Sequence, residues 1–225
     1  MKKIFNLNII LGIAFLFLFC LLIVLLQVDK GVIAESGKPV GLSHFNNIAT
    51  YGYNSDSSTL SNLLFYATFL IVLGAIILGV YQLIKKKSIK NVDKEIIIFG
   101  VGIFIAAIFW LLFDKVVKIN VRPIDASEGS FPSTHVLITT YFILMGRLLL
   151  IKFKDEKAIK ISSLFLVVIY IAAMAILRVS AGKHYITDVI GGVILGLAFY
   201  FISAGIINII NNKTKENTKL EKEAE

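Results

Sequence analysis

Two histidines, two arginines, three lysines, two serines and two aspartates fall in three short stretches of this chain. They are Asp114-Lys115 through Arg122-Pro123, then Phe131-Pro132-Ser133-Thr134-His135, and Arg178 through Gly182-Lys183-His184-Tyr185 to Asp188. Each residue type has a use if the target is a phosphate. Lys115 supplies a point charge, whereas Arg122 and Arg178 offer planar forks that bind phosphoryl oxygens in pairs. Pro132 falls where an apolar run begins, and proline is favoured in a first helical turn because it gives up only an unpaired donor. The amides of Ser133, Thr134 and His135 would then point at an anion, aided by the helix dipole.

His184 and Asp188 are four residues apart, so on one helix they share a face. A carboxylate on one ring nitrogen fixes the tautomer and leaves the other nitrogen free to attack phosphorus. His135, on a separate segment, could protonate the departing oxygen as a general acid. Taken singly, these residues have plain structural readings. Lys115 could snorkel at a helix end, His135 could be a helix-terminal polar residue, and His184 with Asp188 could form a structural i,i+4 pair. Together those readings require coincidence. Asp125 and Glu128 show no recognisable metal-ligand spacing, so no metal site is expected. One cysteine, Cys20, excludes an internal disulfide and a cysteine-based metal centre.

The elements that must position these residues are apolar. With 57% hydrophobic and only 17% charged residues, and a mean hydropathy of +0.82, the composition is that of a membrane protein. Six runs are long enough to cross a bilayer as helices, near residues 4–28, 60–84, 96–113, 135–151, 159–177 and 189–210. The expected fold class is therefore all-α, a polytopic bundle of six transmembrane helices. Residues 1–210 form a single domain and 211–225 a polar tail, disordered or loosely helical. The first run exceeds a signal-peptide core in length and is expected to be retained. Cys20 is expected to face lipid or packing. Gly192 and Gly196 form a GxxxG that predicts close helix packing. Residues 29–59 form a long loop that could lie on the membrane surface or cover a site, with His44 as a solvated loop histidine.

The formal charge of +8 would suggest nucleic acid in a soluble protein. Here it reports topology, and no nucleic-acid partner is expected. With the N-terminus inside, sixteen Lys and Arg fall on the inner side and seven on the outer, which fits the positive-inside rule and places both termini in the cytoplasm. Five of the outer seven, Lys115, Lys118, Arg122, Arg178 and Lys183, crowd into two short segments. That clustering against the rule suggests a chemical role.

The combined spacing resembles the type 2 phosphatidic acid phosphatase family of membrane lipid phosphatases. Its KxxxxxxRP motif is met by Lys115, Arg122 and Pro123. Its PSGH motif is similar to Pro132-Ser133-Thr134-His135, with threonine for glycine. Its SRxxxxxHxxxD motif is met by Arg178, His184 and Asp188, with Leu177 in place of serine. The resemblance implies His184 as nucleophile, Asp188 as its orienter and His135 as acid. Lys115, Arg122, Ser133, Thr134 and Arg178 would bind phosphate, with no metal and no cofactor. Leu177 and Thr134 are expected to alter fit and not to abolish activity.

The resemblance thus implies a metal-independent phosphatase in the cytoplasmic membrane of a bacterium, with its active site facing outside. It would remove a terminal phosphate from a lipid phosphate or pyrophosphate. Undecaprenyl pyrophosphate is favoured because the site faces outward, with phosphatidylglycerophosphate and phosphatidic acid as alternatives. A lipid phosphotransferase using the same site, or a non-catalytic protein that binds anionic lipid, is the competing reading.

Overall fold

The computed structural model describes residues 6–224. Apolar side chains favour lipid, and a backbone in lipid must satisfy its own polar groups, so the long apolar runs become helices. They are α1 (Leu7–Leu25), α3 (Ser55–Lys86), α4 (Lys94–Leu111), α5 (Thr134–Phe153), α6 (Lys157–Ser180) and α7 (Ile186–Ala224), with a short α2 (Ser43–Asn46) between the first two. A π-helical turn, Leu112–Val116, extends α4. Among the described residues, six helices are long and apolar enough to cross a membrane, which makes the chain an all-α polytopic bundle. The Asn6 side chain caps α1 by accepting from the Ile9 amide, and Asn54 caps α3 by accepting from that of Ser57 at 2.8 Å. α7 runs further than the sixth apolar stretch. No glycine or proline interrupts residues 206–224, and the polar tail is helical to Ala224.

α7 is the hub of the bundle. α1 packs along it and α5 crosses it, while α3 and α6 lean on α5. α5 and α7 are the most buried of the six, and the others turn residues such as Phe17, Leu70, Phe104 and Phe165 to lipid. Cys20 is exposed in the same way. The Gly192 and Gly196 pair lets α5 and α7 approach closely: a Cβ at Gly192 would lie 2.6 Å from the Ser133 carbonyl oxygen, and one at Gly196 2.7 Å from Thr140 Cβ. Polar ties close the far end of the bundle. Lys152 Nζ donates to Glu95 at 2.6 Å and lies 3.0 Å from the Asp93 carboxylate. Arg147 Nη2 donates to the Lys160 carbonyl at 3.0 Å.

At the other end, the loop between α1 and α3 straps two further loops together. The Ser36 amide donates to the Pro123 carbonyl at 2.9 Å, and the Gly41 amide to Asn120 Oδ1 at 3.3 Å. Asn46, fully buried, accepts from the Thr187 amide at 3.1 Å and donates through Nδ2 to Thr187 Oγ1 at 3.0 Å and the Gly41 carbonyl at 2.9 Å. Gly182 (φ +67°) leaves no room for a side chain, since a Cβ there would meet the Gly52 carbonyl oxygen at 2.7 Å. These contacts lay the loop against the turns that join α4 to α5 and α6 to α7. His44 is exposed, with Nδ1 2.6 Å from Asp29 Oδ1.

Candidate functional site

The loops under this strap are those that carry the three charged segments. α4 ends and α5 begins at this end, as α6 ends and α7 begins, so antiparallel packing brings all three segments together. Residues 120–130 form a tight hairpin. The Ser130 amide donates to the Asn120 carbonyl at 2.9 Å, the Arg122 amide to that of Glu128 at 3.1 Å, and Val121 bridges to Gly129. The hairpin delivers the Ser130 carbonyl into the interior, where His184 Nδ1 meets it at 2.9 Å. A carbonyl can only accept, so Nδ1 carries the proton. His184 Nε2 faces Arg178 Nη2 at 3.2 Å, and a guanidinium can only donate, so Nε2 presents its lone pair. Both neighbours select one tautomer, in which Nε2 carries the lone pair. Burial, reinforced by the Arg178 and Arg122 guanidinium groups, holds this imidazole well below its ordinary 6.5 and keeps it neutral.

Two expectations about local structure are corrected here. His184 lies ahead of α7 and not on it, and its Nδ1 is 3.7 Å from Asp188 Oδ2, beyond the Ser130 carbonyl. Asp188 Oδ2 instead accepts from the Tyr185 amide at 2.8 Å, which shapes the turn that carries His184. Asp188 is fully buried, with Ser130 and Asn120 beside its carboxyl. Pro132 is not in the first turn of α5. It precedes the N-cap Ser133, whose amide donates to the Asp188 carbonyl at 2.9 Å and does not face an anion. The amides left over at this helix start are those of Thr134, His135 and Val136.

Ser133 Oγ makes no capping bond. It, Arg122 Nε and Arg178 Nε are buried without a hydrogen-bond partner among the described residues. Buried donors in that condition are costly unless a ligand supplies acceptors, and two of them belong to guanidinium groups that act on one neutral imidazole, which suits an anion. His135 lies within electrostatic reach of Arg178, His184, Arg122 and Lys183. Its ring packs on Phe65 with centroids 4.1 Å apart. Beside it opens an apolar cavity of about 250 Å³ between α3, α4 and α5, lined by Phe65, Phe69, Ala106, Trp110, Thr134 and His135 among others.

Lys115 is the outlying member. It sits on the π-helical turn, 73% exposed, with its ammonium 2.7 Å from Asp114. Arg122 forms an ion pair with Glu128. Asp125 accepts from the Ser127 amide and hydroxyl at 2.9 and 2.7 Å. Among the described residues no group of three His, Cys, Asp or Glu could hold a metal ion. Leu177 is half-buried in the last turn of α6. Residue types alone do not reveal the Ser130 carbonyl or the Asn46 strap, since a backbone carbonyl leaves no mark in a sequence and Asn46 lies 141 residues from Thr187.

Residues 67–211 match the family profile described as the PAP2 superfamily. No curated protein sequence matches the chain. A crystal structure described as the first transmembrane PAP2 type phosphatidylglycerolphosphate phosphatase, from Bacillus subtilis, superposes with a TM-score of 0.57 at 19% identity. The match covers 88% of this chain and 96% of that one. At that identity the likeness is one of fold.

Proposed function

The chain belongs to the PAP2 superfamily, and on that premise we propose that it is an integral membrane phosphatase that removes a terminal phosphate from a lipid. The observation that carries this reading is the neutral His184, held by the Ser130 carbonyl on one nitrogen and by Arg178 on the other, among buried donors without partners. A lipid phosphate would draw the Arg178 guanidinium onto its own oxygens and so uncover Nε2. Arg122, Ser133 Oγ and the first amides of α5 would take the remaining oxygens, with Lys115 supplying longer-range charge.

Nε2 then attacks phosphorus as the bond to the lipid oxygen breaks, and His135, having taken up the proton that the phosphate brought into the site, gives it to that oxygen. The Nδ1 proton stays on the ring, shared with the Ser130 carbonyl, and the Asp188 carboxylate balances the charge that the phosphorylated imidazole acquires. Water next attacks the phosphohistidine, losing a proton to His135, and orthophosphate leaves. No step uses a metal. The apolar cavity beside His135 supports a substrate whose tail remains in lipid.

The charge asymmetry supports an active site on the outer face, which favours undecaprenyl pyrophosphate over phosphatidylglycerophosphate and phosphatidic acid. The test is phosphate release from these three lipids by purified wild type and His184→Ala, in detergent with EDTA. Release by the wild type, reduced by several orders of magnitude in the variant, is expected. Equal release by both would overturn the proposal, and a phosphorylated acceptor in place of free phosphate would make the protein a phosphotransferase. Loss of activity in EDTA, restored by magnesium, would return attention to Asp125 and Glu128.

A further inference from the structure

Arg122 is one of two guanidinium groups at the heart of the site, within electrostatic reach of His184, His135 and Arg178. Yet it already holds an anion. The Glu128 carboxylate pairs with Arg122 Nη1, while Arg122 Nε remains buried and unpartnered. The hairpin makes this pairing a built feature. Arg122 and Glu128 face each other across it, joined by the hydrogen bond from the Arg122 amide to the Glu128 carbonyl and flanked by the Val121 and Gly129 bridge. The Glu128 side chain is 49% exposed, against 21% for Arg122, so the carboxylate can swing to water while the guanidinium stays. Neither the phosphate chemistry nor the three charged segments assigns Glu128 a role.

We infer that Glu128 is an internal competitor for the anion-binding face of Arg122, setting how tightly the site holds phosphate and displacing it after hydrolysis. The inference rests on the phosphatase reading, in which Arg122 receives substrate oxygens. An incoming phosphate must take Arg122 from a carboxylate that is tethered six residues away and therefore always present at high local concentration. When orthophosphate is the product, the same carboxylate returns to the guanidinium and shifts the balance toward release. A site with two free arginines would hold its product more tightly, and Glu128 makes the affinity intermediate.

The experiment is equilibrium binding of radiolabelled orthophosphate to the full-length protein in detergent, comparing wild type, Glu128→Gln, Asp125→Asn and Arg122→Ala. Glutamine keeps the shape of glutamate and removes the competing charge. A partly exposed ion pair is worth at most about 1 kcal/mol, so Glu128→Gln should bind orthophosphate about three- to fivefold more tightly at low salt, with a smaller difference at about 1 M salt. Asp125→Asn should bind as the wild type does, because its carboxylate is engaged by Ser127. Arg122→Ala should bind weakly.

Unchanged or weaker binding by Glu128→Gln would overturn the inference and leave the phosphatase reading standing. An equal gain in Asp125→Asn would also overturn it, by showing a general effect of loop charge. A wild type that neither binds orthophosphate nor hydrolyses any lipid in the panel would remove both readings together.

Discussion

Gly192→Ala tests whether the close crossing of α5 and α7 sets the site. The added Cβ would lie 2.6 Å from the Ser133 carbonyl oxygen, 3.0 Å from Val136 Cβ and 3.2 Å from the Leu137 amide nitrogen, where ordinary contact begins at 3.4 Å. Two of those three neighbours are main-chain atoms, which cannot rotate aside. Relief therefore requires the start of α5 to retreat by roughly 0.8 Å, at an overpacking cost of about 1–3 kcal/mol. That retreat stretches the 2.9 Å bond from the Ser133 amide to the Asp188 carbonyl and carries Ser133 and His135 away from His184. Displacement on this scale lowers turnover by about 10- to 100-fold. Gly196→Ala is the matched comparison. Its Cβ meets Thr140 Cβ at 2.7 Å and the Leu137 carbonyl oxygen at 2.9 Å, similar crowding about 6 Å further from the site. Gly100→Ala, with nothing within 4 Å, is the control. Phosphate release and thermal unfolding in detergent are measured for all three. Both α7 variants should lose stability and Gly192→Ala alone should lose most of its kcat. Equal loss of kcat in the two, or wild-type kcat in a destabilised Gly192→Ala, would refute the reasoning.

Because His184 is held neutral below its ordinary 6.5, the folded protein declines a proton that the unfolded chain accepts. Stability is thus intact above about pH 6.5 and falls as pH drops below it, by at most about 1.4 kcal/mol per pH unit. Thermal unfolding between pH 7.5 and 5.5 should show that slope in the wild type and a shallower one in His184→Gln; identical slopes would mean that other groups carry it. For sidedness, Ser127→Cys in a Cys20→Ala background should react with an impermeant thiol reagent in intact cells, and Ser88→Cys should not. The reverse pattern would place the site in the cytoplasm and remove the reason for favouring undecaprenyl pyrophosphate.

Much of the fold was legible because the features that specify it are local. An apolar run of about 20 residues has few alternatives to a helix in lipid, and all six runs proved to be helices. The GxxxG of α7 and the lipid-facing Cys20 followed from the same one-dimensional reading. Helix ends were harder. α3 begins at Ser55 because Asn54 caps it, and α7 continues through polar residues whose helicity hydropathy does not measure.

For the site, residue type and spacing singled out His184, His135, Asp188, Arg122, Arg178, Ser133, Thr134 and Lys115, since phosphate chemistry calls for particular side chains. What those side chains touch was decided only in three dimensions. The partner of His184 Nδ1 is a main-chain carbonyl 54 residues away, in place of the aspartate four residues along, and the strap between distant loops depends on an asparagine 141 residues from its target. The ion pair on Arg122 depends on a hairpin that no periodicity announces. By itself the sequence determined the chemistry on offer and the number of helices, because both are properties of side chains and of continuous apolar runs. Tautomer, burial and the pairing of charges arise only from contacts between distant segments, so the tertiary structure alone decided them.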